Sequence, residues 1–136
     1  MLEKSCGTVP YTYKDGTIHY LLISSKDDKN RGFPKGHVEG NESETETALR
    51  ETFEETSLSV KIKEGFRYET TYKMGNGNYK TVAYFLAEFD GEPERNSGFE
   101  DFKYLILPYG EAMRELTFKN ARELLTAANE HLTKGR

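Results

Sequence analysis

Three glutamates stand within five positions of the stretch RETFEETSL: Glu51, Glu54 and Glu55. On a helix, residues three and four apart are surface neighbours, so these carboxylates repel one another unless something positive lies between them. Carboxylate oxygens at that density suit a hard divalent cation. Magnesium or manganese keeps several waters and takes one or two carboxylates together with substrate phosphates. The preceding segment, GFPKGHVEGNE, supplies what such a site would use next. Lys35 offers a compact positive charge for phosphate. Gly36 lets the backbone approach a ligand closely or present its carbonyl. Carboxylates beside a lysine loop point to metal-assisted attack of water on a polyphosphate. The bland alternative is a solvated acidic face, since an exposed like-charge pair costs only about 0.2–0.5 kcal/mol. In a cleft of effective dielectric near 20 the same pair costs on the order of 3 kcal/mol and needs a cation.

The elements that must hold these residues can be placed from pattern. Ser43 with Glu46 three residues on is a capping box, so a helix starts there. On its wheel Leu49, Thr52, Phe53 and Thr56 share one arc, with Ala48 at the edge, and this arc is the expected core face. Arg50 and the three glutamates fall on the other side. Runs 6–13 and 17–24 are β-rich and flank Asp15-Gly16, the mark of a tight hairpin. Residues 25–32 form a polar loop. A second hairpin runs from 65–74 through Gly75–Asn78 to 79–89. In its second strand Val82, Tyr84 and Leu86 face one way and Ala83, Phe85 and Ala87 the other, which predicts an interior strand covered on both sides. A short helix follows Pro108. A longer one spans 118–132, with Phe118, Ala121, Leu124, Leu125, Ala128 and Leu132 as its apolar stripe and Gly135 closing it. Hairpins with few helices predict a mixed, largely antiparallel sheet with helices on its faces.

Composition bounds the partners. The chain has 136 residues, and no linker or repeat divides it, so residues 1–136 are expected to form one domain. Lys plus Arg is 19 against 23 Asp plus Glu, a net charge of −4, and so acidic a chain is a poor generic binder of extended nucleic acid. Cys6 is the single cysteine, which excludes an intrachain disulfide and a thiolate zinc site. No signal peptide or membrane-spanning run is visible, so a cytoplasmic protein without a membrane partner is expected.

Gly36, Glu42, Arg50, Glu51, Glu54 and Glu55 stand at the spacing G-x5-E-x7-R-E-U-x-E-E-x-G-U of the Nudix family, with Leu58 at the last apolar position. Two positions depart: Ser57 replaces the glycine, and Thr52 is only weakly apolar. FPKGHVE, ETALRETFEET and KTVAYFLAEF further resemble the asymmetric diadenosine tetraphosphate hydrolases of that family, and the likeness covers nearly the whole chain. The resemblance implies an α/β/α sandwich, and a monomer is expected. It assigns divalent metal (Mg2+ or Mn2+) to Glu51, Glu54 and Glu55, with the Gly36 carbonyl and Glu100 as further candidates. Arg50 would orient a glutamate, and Glu42 would hold the loop against the helix. Water, deprotonated by a helix carboxylate, would split the phosphoanhydride to release ATP and AMP. Substrate contacts are expected from Lys35, His37 and Lys80, with Tyr84 and Phe118 as base-stacking candidates and Tyr72 as a third. Arg31 stands where the related loop usually carries tryptophan. Other polyphosphates remain open as substrates: RNA 5′-triphosphate ends, nucleoside triphosphates and diphosphoinositol phosphates. So does a non-catalytic nucleotide-binding module.

Overall fold

A computed structural model describes residues 2–25, 29–94 and 102–134. The chain runs β1 (Leu2–Lys14), β2 (Thr17–Ser25), β3 (Lys35–His37), α1 (Glu44–Thr56), β4 (Lys61–Lys73), β5 (Tyr79–Glu88), β6 (Phe102–Pro108), α2 (Tyr109–Glu115) and α3 (Lys119–Thr133). The first hairpin turns where expected. Asp15 (φ 51°) and Gly16 (φ 79°) both adopt positive φ, matching the twist of the strands they join. The β4–β5 hairpin closes through Met74 N–H to Asn78 O at 2.7 Å. The capping box also forms: Glu46 N–H donates to Ser43 Oγ at 3.1 Å, and Ser43 N–H to Glu46 Oε1 at 2.7 Å.

Among the described residues the sheet orders β4-β5-β1-β2-β6, with β3 also pairing β1. β1 and β5 are parallel and the other pairings antiparallel. The edge of β1 opposite β5 is shared. Ser5–Gly7 pair with β3, and Tyr11–Lys14 pair with β2, which then leaves to meet β6. The sheet therefore forks along this edge of β1. Gly7 makes the close approach possible: a β-carbon there would collide with the Pro34 carbonyl, to which Thr8 N–H donates at 3.1 Å.

Helices cover both faces. Val82, Tyr84 and Leu86 pack with Val9, Tyr20 and Leu22 beneath α2 and α3, in the cluster that holds Leu124, Leu125, Ala128 and Leu132. On the other face Cys6, Ala83 and Phe85 meet Ala48 of α1. The alternation expected of β5 is thus realised, between β4 and β1.

Several expectations are corrected. β3 forms inside a stretch expected to be loop, recruited by pairing to β1, and β6, built on the apolar run 104–107, adds a further strand beside β2. The buried face of α1 is Thr47, Ala48, Thr52 and Thr56, whereas Leu49 and Phe53 are 37% and 48% exposed. Threonines suit this face because each hydroxyl finds a partner. Thr8 and Thr52 share a hydrogen bond of 2.8 Å, Thr56 Oγ1 donates to Thr52 O at 2.6 Å, and Thr47 Oγ1 donates to Glu42 Oε1 at 2.9 Å. Rotating the buried arc this way turns Glu51 and Glu55 toward the sheet. Phe118 likewise leaves the α3 stripe: it caps the helix and is 56% exposed. Gly135 lies outside the described residues.

Candidate active site

β3 brings Gly36 against α1 so closely that an added β-carbon would overlap the Glu51 carboxyl group. Glu51 therefore lies over bare backbone, its side chain 16% exposed. Glu55, one turn on, is hydrogen-bonded to it. Burial, then the Glu51 charge and that hydrogen bond, raise the Glu55 carboxyl well above the usual carboxylate range, with Lys35 opposing. Two carboxylates in such contact need a shared proton or a cation.

Arg50 binds the surrounding acids. Its Nε donates to Glu42 Oε2 at 2.7 Å and Nη2 to Glu42 Oε1 at 3.0 Å, a bidentate pair. Nη2 also reaches the His37 carbonyl at 2.9 Å, fixing the loop to the helix. Nη1 donates to Glu51 at 2.8 Å and to Glu54 at 2.9 Å. Glu42 is held well below the usual range, to about 2, first by Arg50 and then by the Glu39 N–H.

A divalent cation fits this donor set, though not as a closed cage. Among the described residues no three acidic, imidazole or thiol groups converge on one point. Arg50 Nη1 occupies an oxygen of both Glu51 and Glu54. Glu51, over Gly36, and Glu55 beside it still offer two carboxylates, which is what magnesium takes when waters and phosphates complete its shell.

A groove of about 840 Å3 is lined by Glu55, Lys35, Tyr84, Tyr72, Phe118 and Lys119, and the 56%-exposed ring of Phe118 marks its mouth. Glu55 lies on α1, which packs on the opposite face of the sheet, yet it lines this groove together with Tyr84. The structure brings Lys35, Glu55, Tyr84 and Phe118 together along one wall system, with Tyr72 as an added member. Tyr84 differs from its sequence reading. It is 7% exposed and packs edge-on to Phe33 at 6.5 Å, so it is floor and core rather than a free stacking face. His37 and Lys80 do not line the groove. His37 Nε2 lies 3.1 Å from Glu3 Oε1 at the surface. Lys80 sits across from Glu3 in the β1–β5 register, and its pKa is lowered first by burial and then by Lys35. Glu100 lies outside the described residues.

Sequence reasoning missed Glu3 and Lys119. Only strand register sets Glu3 beside Lys80, so no local signal marked it. Lys119 follows Phe118 at the start of α3 and could have been found from that adjacency.

The NUDIX domain model matches residues 5–128. The chain is 34% identical over 143 aligned residues to a mouse bis(5′-nucleosyl)-tetraphosphatase [asymmetrical], covering 97% of each. The rat protein of that name is 36% identical with the same coverage. In structure it is similar to a C. elegans Ap4A hydrolase binary complex, with TM-score 0.86 and 26% identity over 96% of this chain and 97% of that one.

Proposed function

The chain belongs to the Nudix family and is a Nudix hydrolase, and from that premise we propose that it hydrolyses diadenosine tetraphosphate asymmetrically, to ATP and AMP. The single observation that carries the reading is Glu55, which is hydrogen-bonded to the Glu51 carboxyl over Gly36 and lines one groove with Lys35 and the exposed ring of Phe118. A polyphosphate with a base at its end matches that set of groups. That relatives matched over 97% of their length are bis(5′-nucleosyl)-tetraphosphatases supports the choice.

Glu51 and Glu55 would hold the divalent metal, magnesium or manganese, with Glu54 and the Gly36 carbonyl as further ligands. When bound, the metal supplies positive charge against the phosphate oxygens and lowers the pKa of water. The chain's own groups do the rest. Arg50 fixes the direction of Glu51 and Glu54 by charge-assisted hydrogen bonds. A helix carboxylate accepts the proton of the attacking water. That water's oxygen forms the new P–O bond, the anhydride P–O bond breaks, and the nucleotide leaves with the bonding pair. Lys35 neutralises phosphate charge along the groove. Phe118 offers its exposed ring to a base, worth about 1–3 kcal/mol of stacking.

Purified protein with magnesium and a panel of dinucleoside polyphosphates, nucleoside triphosphates and diphosphoinositol phosphates tests this directly. In oxygen-18 water the label is expected in one product nucleotide, and Glu54→Gln is expected to remove most turnover while the melting temperature holds. Normal rates in that variant would refute the role given to Glu54. A nucleotide that raises the melting temperature while no panel member is cleaved would favour a binding module.

A further inference from the structure

Arg31 lines two cavities at once. One is the large groove, beside Phe118 and Lys119; the other is a hollow of about 310 Å3 that it shares with Leu105, Leu107 and Glu115. Its guanidinium Nη1 lies 3.2 Å from Glu115 Oε1, and the two side chains are 39% and 41% exposed. The backbone beneath is tied on two sides. Arg31 N–H donates to Thr117 Oγ1 at 2.8 Å, and Thr117 N–H returns to Arg31 O at 3.3 Å. Gly32 exchanges N–H···O bonds of 2.9 and 3.0 Å with Ile23. The stem is therefore fixed while the long side chain can turn.

An ion pair as exposed as Arg31–Glu115 biases its partners by no more than about fivefold. A phosphate offers a guanidinium two parallel charge-assisted bonds, and such bonds are roughly twice as strong as neutral ones. Among the described residues lining the groove, Glu55 is the single acid, whereas Arg31, Lys35 and Lys119 are cationic. The adjoining hollow adds the acids Glu111 and Glu115 and the cation Arg114, and of these Glu115 is the one that holds the Arg31 guanidinium. Phe118 already supplies a flat face for a base, so the group that replaces a carboxylate on Arg31 is another anion.

We propose that Arg31 is a specificity-determining residue of this groove, held on Glu115 before substrate arrives and transferred to the phosphate chain of the bound nucleotide, where it sets the preferred number of phosphates. This rests on the nucleotide-hydrolase reading above. Steady-state kinetics with magnesium on diadenosine tri-, tetra- and pentaphosphate test it. Arg31→Gln is expected to raise KM for the tetraphosphate about tenfold or more, the scale of a lost hydrogen bond to a charged group, with kcat nearly unchanged. Arg31→Lys should fall between, and the preference among chain lengths should flatten. Glu115→Gln is expected to move KM the other way, lowering it by up to about fivefold, because it releases the arginine. A purely structural pair would shift both variants in the same direction by loosening the Thr117 linker. That result, or an unchanged KM in Arg31→Gln, would overturn the proposal. Absence of wild-type turnover across the panel would count against the hydrolase reading instead. The arginine is then read by titrating inorganic tripolyphosphate against melting temperature: weaker binding by Arg31→Gln and tighter by Glu115→Gln supports it, and equal binding sinks it.

Discussion

A β-carbon at Gly36 would land on the Glu51 carboxyl group, whereas one at Gly7 would land on the Pro34 carbonyl and the Lys35 backbone. The difference decides what each substitution does. In Gly36→Ala the obstructing atoms are the end of a flexible side chain, which can swing away at little cost to the fold. The carboxylate is then displaced from Glu55, and a misplacement of about 1 Å at a reacting centre can cost on the order of 100-fold in rate. Gly36→Ala is therefore expected to lose about two orders of magnitude in kcat/KM while its melting temperature stays within a few degrees of wild type. Gly7→Ala should instead lower stability by about 1–3 kcal/mol, since backbone must move, and denaturant unfolding of the two variants separates the effects. At this scale the sequence was highly legible. Residue type and spacing alone singled out Gly36 and the three glutamates, because the chemistry needs those groups at those intervals whatever surrounds them.

α1 shows where that legibility stops. Its start was readable from the Ser43–Glu46 box, because capping is a local exchange of hydrogen bonds. Its buried face was not, because Thr8 on β1 and Glu42 in the loop decide which hydroxyls are satisfied, and both are distant partners. β3 is illegible for the same reason: its three residues take their conformation from β1, whereas the apolar run 104–107 of β6 is itself a strand signal. Two predictions belong to this element. Its C-cap, Ser57, adopts φ 62° and ψ 13°, a left-handed conformation that costs a residue with a β-carbon roughly 1–2 kcal/mol. Ser57→Gly should thus stabilise the protein by about 0.5–1 kcal/mol, seen as a rise of a few degrees in melting temperature. At the other end, Arg67 and then Lys4 hold the Glu44 carboxyl down at about 2, against an ordinary 4.5. Because the folded value is the lower one, Glu44 contributes stability above pH 4.5, and this is lost as pH falls toward 2. The gap in melting temperature between wild type and Glu44→Gln should be widest at neutral pH and close across that window. A gap independent of pH would show that the Arg67 contact carries no charge-linked stability.

Across the whole molecule, one groove is built from parts that answer to different demands. Tyr84 belongs to the main core, 7% exposed, and also lines the cavity. Phe118, 56% exposed, adds nothing to that core. Both are aromatic, and strand or helix periodicity alone would have sent both inward; the break between α2 and α3 is what lifts Phe118 out to the mouth. Their alanine variants should therefore diverge. Tyr84→Ala opens a cavity in the layer between sheet and helices, at a cost of about 3 kcal/mol or more, a large share of a domain stability of about 5–15 kcal/mol. Its melting temperature should collapse, with activity falling in step with the folded fraction. Phe118→Ala removes a ring that meets mostly water, so its melting temperature should hold. Loss of base stacking worth about 1–3 kcal/mol would raise KM roughly five- to 150-fold, with kcat little changed. Measuring KM, kcat and melting temperature on both variants separates the roles. An unchanged KM in Phe118→Ala would mean that the base is held elsewhere and that the mouth is only an entrance.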